Sequence, residues 1–199
     1  MLNYSVASER NQEVILAILR QLLRVDEQVL EIGSGSGQHS IHFCRALPDI
    51  TWNPSELENN LVALAANLKQ AGIANINRPL ALDVSWSHWP VTDLSAVYTA
   101  NTLHIVSWQQ VEALFEGVGR CLKSQGLLII YGPFRYAGQF TTPSNAEFDR
   151  WLRLQDSASG IRDFEAVQRL AERQGLVLLA DHAMPANNQL LVWERVGDI

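Results

Sequence analysis

Apolar and polar positions alternate between two periods along this chain. Ile15, Ile18, Leu19, Leu22 and Leu23 recur at helical spacing and predict a first helix over residues 11–24. A short apolar run at 28–32 predicts a strand that ends in Gly33-Ser34-Gly35-Ser36-Gly37. The helix that follows carries Ile41, Cys44, Ala46 and Leu47 and closes near Pro48; a second strand is expected at 50–52. Leu61, Leu64, Ala65 and Leu68 line one face of a helix ending near Gly72.

Residues 79–84 and 95–100 predict a third and a fourth strand. Ser107 with Gln110 has the form of a capping box and opens a helix whose buried stripe is Val111, Leu114, Phe115, Val118 and Leu122. The fifth strand, 126–131, has no polar residue until its end, as expected for a strand covered on both faces. A helix over 164–174 and two strands at 176–181 and 189–195, flanking Met184-Pro185-Ala186-Asn187-Asn188, complete the pattern as an antiparallel hairpin. Five strands with crossover helices and a closing hairpin predict an α/β chain. Its expected core is a Rossmann-like, doubly wound sheet of seven strands, mostly parallel with an antiparallel C-terminal hairpin strand.

Residues 133–160 differ in character, mixing Pro, Gly, Ser, Thr and Asn with aromatics, and read as a long irregular connection. Such segments between core elements are usually functional or disordered, and the aromatics argue against disorder. Residues 133–163 are therefore expected to form a substrate lid inserted in a single domain spanning 1–199.

At 199 residues, with 47% hydrophobic and 18% charged positions, the chain suits one folded domain. A net charge of -6 provides no basic surplus for phosphate neutralisation, so nucleic acid is not an expected partner. Cys44 and Cys121, far apart and without C-x-x-C spacing, read as buried reduced thiols, and no metal cluster is expected. Residues 1–10 lack a signal-like apolar run and no stretch is long enough to span a bilayer, so no membrane association and a cytoplasmic setting are expected.

The glycine run carries the chemistry. Glycines at a strand-to-helix turn let a ligand approach the backbone closely. A dinucleotide fingerprint would place its third glycine at 38, where Gln38 stands. Glu31 precedes the first glycine by two residues. Beside a pyrophosphate, its carboxylate would add repulsion of about 1 kcal/mol or more at an effective dielectric of ~20. Beside S-adenosylmethionine, with its ammonium and sulfonium, the sign reverses. Glu31, Gly33, Ser34, Gly35 and Gly37 are thus the expected cofactor loop.

Glu56, 19 residues beyond Gly37, stands where ribose hydroxyls are commonly held, although Ser55 and Glu58 also match a capping box. Asp83 is expected to reach the adenine amino group while Val84 packs on the ring, unless Asp83 merely caps the next turn. Asn101 and His104 follow the fourth strand, at the methionyl end of the ligand, with His104 a candidate general base or substrate contact.

At these residues the chain resembles class I S-adenosylmethionine-dependent methyltransferases. More closely, it is similar to the group that includes methyltransferase-like protein 26. The narrower resemblance lies in Ala7-Ser8-Glu9-Arg10-Asn11, Ala81-Leu82-Asp83-Val84, Ala100-Asn101-Thr102-Leu103-His104 and Tyr131-Gly132-Pro133-Phe134. It continues through Pro143-Ser144-Asn145-Ala146, Gly160-Ile161-Arg162-Asp163 and Met184-Pro185-Ala186-Asn187-Asn188. The resemblance implies a strand order and a cofactor, S-adenosyl-L-methionine, but no substrate. Many relatives have Asp where Glu56 stands, which keeps the charge and alters its reach. No Asp/Asn-Pro-Pro-aromatic tetrad follows the fourth strand, so adenine and glutamine-amide methylation are not expected.

Methyl transfer is an in-line displacement that chiefly requires positioning and exclusion of water. The expected walls of the substrate site are Arg10, Asn11, Tyr131, Arg135, Asn145 and Arg162. Arg135 or Arg162 is the expected partner of an anion on a small polar or acidic substrate, the alternative being ion pairs with Asp149, Asp156 or Asp163. Two further functions remain open on sequence alone. One is a non-catalytic sensor or partner subunit that binds S-adenosylmethionine or S-adenosylhomocysteine. The other is a nicotinamide-dependent oxidoreductase, which Gln38 and Glu31 disfavour.

Overall fold

The computed structural model describes residues 1–197. Its first half runs α1 (Val6–Leu22), β1 (Gln28–Ile32), α2 (Gln38–Ala46), β2 (Thr51–Glu56), α3 (Leu61–Ala71), β3 (Leu80–Ala81) and β4 (Leu94–Ala100). Then follow α4 (Trp108–Cys121), β5 (Leu122–Gly132), β6 (Phe134–Tyr136), β7 (Gln139–Phe140) and α5 (Pro143–Gln155). The chain closes with β8 (Arg162–Asp163), α6 (Phe164–Arg173), β9 (Leu176–Met184) and β10 (Asn188–Arg195).

Seven strands form the main sheet in the order β3-β2-β1-β4-β5-β10-β9. The pairings β1–β2, β1–β4, β2–β3 and β4–β5 are parallel, whereas β10 runs antiparallel to both β5 and β9. β9 is therefore aligned with the parallel strands and β10 alone is reversed, which is the doubly wound arrangement expected from the sequence.

Alternation along the strands divides the core into two layers. Val29, Ala96, Tyr98, Ile129 and Val192 face α1 and α2, where they meet Ile15, Leu19, Phe43 and Cys44. Leu30, Val97, Leu128, Ile130 and Trp193 face α4 and α6 through Val111, Leu114, Val118 and Val167. Each such fully buried aliphatic side chain stabilises the fold by about 1.5–3 kcal/mol. Phe43, Trp52 and Tyr98 pack with ring centroids 5.7 Å apart and close the layer directly beneath the glycine loop. Cys44 and Cys121 are free and buried, and burial pushes their thiols up, Cys121 to about 12.

Several boundaries differ from expectation. α1 begins at Val6 because Ser5 caps it, its hydroxyl accepting the Ser8 N–H at 3.2 Å. Leu122 lies outside α4, as the first residue of β5 with extended backbone, and stays buried. β2 continues through Pro54 to Glu56, whereas β3 shrinks to two residues at the sheet edge. Much of 133–163 is regular rather than an irregular connection, although 156–161 lies outside helix and strand. β7-β6-β8 form a small second sheet, and α5 starts from Thr142, whose hydroxyl accepts the Asn145 N–H with Pro143 in the first turn.

Among the described residues no helix is long and apolar enough to cross a membrane, and no group of three or more His, Cys, Asp or Glu side chains is arranged to hold a metal ion.

Candidate active site

β1 delivers the chain into the glycine loop at the carboxyl edge of the sheet, between β2 and β4. Gly33, Gly35 and Gly37 all take left-handed backbone, with φ of 71°, 55° and 79°. A Cβ on Gly37 would stand 2.9 Å from Leu64 of α3, so the close approach of that helix also requires glycine. The Gly37 conformation starts α2 without a side-chain cap, leaving its first-turn amides near the loop.

Two cavities flank this loop. One, of about 360 Å³, is polar and is lined by Glu31, Gly33, Ser34, Gly35, Ser36 and His39, with Asn101 at its edge. The other, of about 240 Å³, has an apolar floor of Ile32, Leu82, Val84 and Ile105, with Glu56 and Asp83 also lining it. A third cavity, of about 350 Å³, opens beside the first and contains Arg10, Asn11, Val14, Tyr131 and Asn188. Asn101 lines all three, holding φ of 57° with its N–H donated to the Tyr131 carbonyl at 2.8 Å.

Glu31 is 3% exposed and borders the polar cavity. Its Oε2 accepts the Trp52 indole N–H at 2.9 Å and the Ser40 hydroxyl. Burial raises its pKa, and the hydrogen bonds from Ser40 and Trp52 oppose that rise. A cation in the cavity would further favour the ionised form. Glu56 lies across the loop. Its Oε2 accepts the Gly35 N–H at 2.9 Å, while Oε1 accepts the Leu57 N–H at 2.9 Å and the Asn60 amide at 3.2 Å. The carboxylate thus ties the glycine turn to the end of β2 at the rim of the apolar cavity. Asp83 caps its own turn, its Oδ1 accepting the Ser85 N–H and hydroxyl at 2.9 and 2.7 Å, and it still lines the apolar cavity with Val84.

The expected substrate residues separate into two groups. Arg10, Asn11 and Tyr131 come together in the third cavity. Arg135, Asn145 and Arg162 line none of the three cavities. Arg135 pairs with Asp163 and lies over the Phe140 ring. Asn145 donates to Thr141 and to the Asn187 carbonyl at 2.9 and 3.0 Å, tying α5 to the turn before β10. Arg162 donates to the carbonyls of Leu103, Val106 and Ala158. Its guanidinium pins the connection after β4 to the start of β8. His104 is 5% exposed, packed edge-on against Phe148 of α5, and lies outside the three cavities. Burial, with Arg162 nearby, lowers its pKa to about 4, so its ring is neutral.

Three residues at the site were not anticipated from sequence. His39 lines the polar cavity, its Nε2 2.7 Å from Asn11 Oδ1 and its Nδ1 3.1 Å from the Tyr98 hydroxyl. Gln38 holds Ser5 by both backbone groups, accepting its N–H at 2.6 Å and donating to its carbonyl at 3.1 Å. Asn67 of α3 likewise grips Leu2 at 2.8 and 2.9 Å and donates to the Ser36 carbonyl. Residues 2–5 are thereby strapped across the polar cavity, where Asn3 and Ser5 form part of the wall. The signal available in sequence was position: Gln38 and His39 open the helix that leaves the glycine loop.

The donor set fits S-adenosylmethionine. A polar cavity with a buried carboxylate suits a cationic amino-acid end, and an apolar slot with two rim carboxylates suits a nucleoside. Gly33 and Asn101, common to both cavities, join the two halves.

Comparison with solved structures defines the fold as that of class I methyltransferases. An O-methyltransferase family protein from Burkholderia thailandensis is matched over 97% of this chain and 58% of its own, at 14% identity and a TM-score of 0.82. An O-methyltransferase family 2 protein from Planctomyces limnophilus, solved with apigenin, is matched over 93% of this chain and 62% of its own (16% identity, TM-score 0.75). This chain therefore spans a little under two thirds of the length of those two proteins. The YcgJ protein of Bacillus subtilis is matched over its whole length and 96% of this chain (12% identity, TM-score 0.74). By its sequence the chain belongs to the family described as Protein of unknown function (DUF938), whose profile matches residues 2–195.

Proposed function

We propose that this protein is an S-adenosylmethionine-dependent methyltransferase acting on a small polar or acidic molecule. The observation that carries the reading is Glu31, a buried carboxylate on the wall of the cavity formed by the left-handed glycine loop. A cationic ligand gains from that charge and a pyrophosphate loses. The structural relatives include O-methyltransferases, which supports oxygen as the acceptor atom. Membership of the narrower group that includes methyltransferase-like protein 26, and a reducing cytoplasmic setting suited to two free thiols, belong to the same proposal.

Bound S-adenosylmethionine supplies an electrophilic methyl group on sulfur. Glu31, Ser34 and the loop amides hold its amino-acid end, Glu56 the ribose, and Asp83 with Val84 the base. Residues 2–5 exclude water from the polar cavity, while Arg10, Asn11 and Tyr131 receive the acceptor. The second small sheet and α5, within 133–163, form the lid of the single domain. Arg135, Asn145 and Arg162 act in it as ties, and His104 stands behind the site as a base only when that lid moves.

Calorimetric titration with S-adenosylmethionine, S-adenosylhomocysteine and NAD tests the cofactor: the first two are expected to bind and NAD is not. Label transfer from a tritiated methyl donor into metabolite pools tests catalysis. Binding without any transfer would leave a non-catalytic sensor, and indifference to S-adenosylmethionine at millimolar concentration would end the proposal.

A further inference from the structure

A hydrogen-bond chain of fixed direction ends at Asn11 on the wall of the third cavity. An amide oxygen has no proton to give, so in the 2.7 Å contact between His39 Nε2 and Asn11 Oδ1 the imidazole carries the N–H. A neutral imidazole has one N–H, so Nδ1 bears the lone pair and the Tyr98 hydroxyl donates to it. His39 is neutral because burial lowers its pKa to about 4. With its oxygen committed, Asn11 has its amide N–H groups left for the cavity it shares with Tyr131 and Asn188. The Tyr131 hydroxyl stands on the same wall and has a proton to direct into the cavity. Arg10, exposed and in no ion pair among the described residues, adds a guanidinium to the same wall. No carboxylate is among the residues lining this cavity, in a chain whose net charge is -6. Ala7 and Asn101 are common to it and the polar cavity, so the acceptor lies next to the donor's methionyl end.

Both ring nitrogens of His39 are engaged, and neither Asn11, Tyr131 nor Arg10 takes up a proton near neutral pH. Resting on the methyltransferase reading above, we propose that the acceptor is a small-molecule carboxylate, held by the Tyr131 hydroxyl and Arg10 and released as its methyl ester. A carboxylate brings no proton that must be removed. One of its oxygen lone pairs forms the new O–CH3 bond, the C–S bonding pair leaves with sulfur, and the negative and positive charges vanish together. An ammonium or an alcohol would bring a proton for which the cavity provides no base. Tyr131 and Arg10 touch the substrate, whereas Asn11 and His39 are positioning residues, His39 fixing which end of the Asn11 amide is left for the cavity.

The test incubates the full chain with S-adenosylmethionine labelled in its methyl group and matched panels of small carboxylic acids, amines, thiols, phenols and phosphate monoesters. Products are then treated with alkali, which frees volatile methanol from carboxylic esters. In parallel, protein saturated with S-adenosylhomocysteine is titrated calorimetrically with benzoate and succinate, a readout independent of turnover. Volatile label in the carboxylate arm alone is expected, with carboxylate binding weakened about tenfold in Arg10→Gln. Arg10→Gln is expected to raise KM about tenfold with kcat nearly kept, and Tyr131→Phe to lower kcat about tenfold. His39→Gln should reproduce the Tyr131→Phe change in kcat, read on the folded fraction, with KM little altered. Alkali-stable label from an amine, thiol, phenol or phosphate overturns the carboxylate assignment and leaves the methyltransferase standing. Absence of carboxylate binding to protein that does bind S-adenosylhomocysteine also overturns it, whereas failure to bind S-adenosylhomocysteine removes both.

Discussion

Gln38 grips Ser5 at both backbone groups, with the Ser5 N–H 2.6 Å from its side-chain oxygen and the Ser5 carbonyl 3.1 Å from its amide nitrogen. The residue that stands where a dinucleotide loop would have glycine is therefore the clasp of the strap over the polar cavity. The Ser36 hydroxyl also donates to the Gln38 side-chain oxygen at 2.8 Å, so the clasp and the glycine loop move as one piece.

Gln38→Ala is expected to free residues 2–5 and weaken S-adenosylhomocysteine binding roughly tenfold, chiefly through faster dissociation. The fold should lose only about 1–2 kcal/mol, because the lost hydrogen bonds are partly exposed. Calorimetry and stopped-flow displacement read the first effect, and urea unfolding the second. Unchanged dissociation would mean that the strap is not a door.

Glu56→Ala removes an acceptor from the Gly35, Leu57 and Asn60 donors and, on the proposed reading, a ribose partner at once. Binding of S-adenosylmethionine and S-adenosylhomocysteine should weaken equally, by about ten- to hundredfold, since charged hydrogen bonds contribute ~1.5–3 kcal/mol. A selective loss of one ligand would place Glu56 at the sulfur end instead.

Much of this site was legible in sequence because it is local. The 28–32 strand, the glycine turn and Glu31 lie in one stretch, and the capping box at Ser107 and Gln110 is present with both of its hydrogen bonds. Less legible was α5. Its buried residues are Asn145, Asp149 and Leu152, while Trp151 and Leu154 face solvent, so hydrophobic periodicity points away from its packed side. The first turn of α1 was hidden likewise, its Val6 and Ala7 being exposed and its start fixed by the Ser5 cap. In sequence Arg135 and Arg162 can be anion partners or ion-pair partners of Asp149, Asp156 or Asp163, and long-range contacts set Arg135 on Asp163 and Arg162 on backbone carbonyls. The three carbonyls around Arg162 include two from a loop more than 50 residues away.

Arg162→Ala is accordingly expected to act on stability. Removing a 9% exposed guanidinium leaves the Leu103, Val106 and Ala158 carbonyls short of a donor. A loss of about 3 kcal/mol or more should appear in thermal or urea unfolding. S-adenosylhomocysteine affinity in the folded fraction should be nearly kept. A stable variant with selectively impaired turnover would return Arg162 to the substrate site.

His39 and His104 make stability depend on pH. Each has a folded pKa of about 4 against 6.5 when unfolded, so between those values the unfolded chain binds more protons. Stability is full above pH 6.5 and is lost as pH falls toward 4, by about 3 kcal/mol per buried histidine. Glu31, whose pKa burial raises, has the opposite sign above its ordinary value of 4.5 and offsets part of that loss. The urea midpoint should therefore drop between pH 7 and 4.5, and His104→Gln should flatten the slope by about one proton. A slope unchanged in that variant would show that His104 is already charged in the fold.

On the proposed reading, in which the site holds an alkylating agent, the setting of the two cysteines has a consequence. Sulfur anions are the most eager biological captors of a sulfonium methyl, and here both thiols sit in the hydrophobic layers with their protons held on by burial. A folded chain holding such a reagent would set it beside hydroxyls, amides and a carboxylate without its own sulfur being marked.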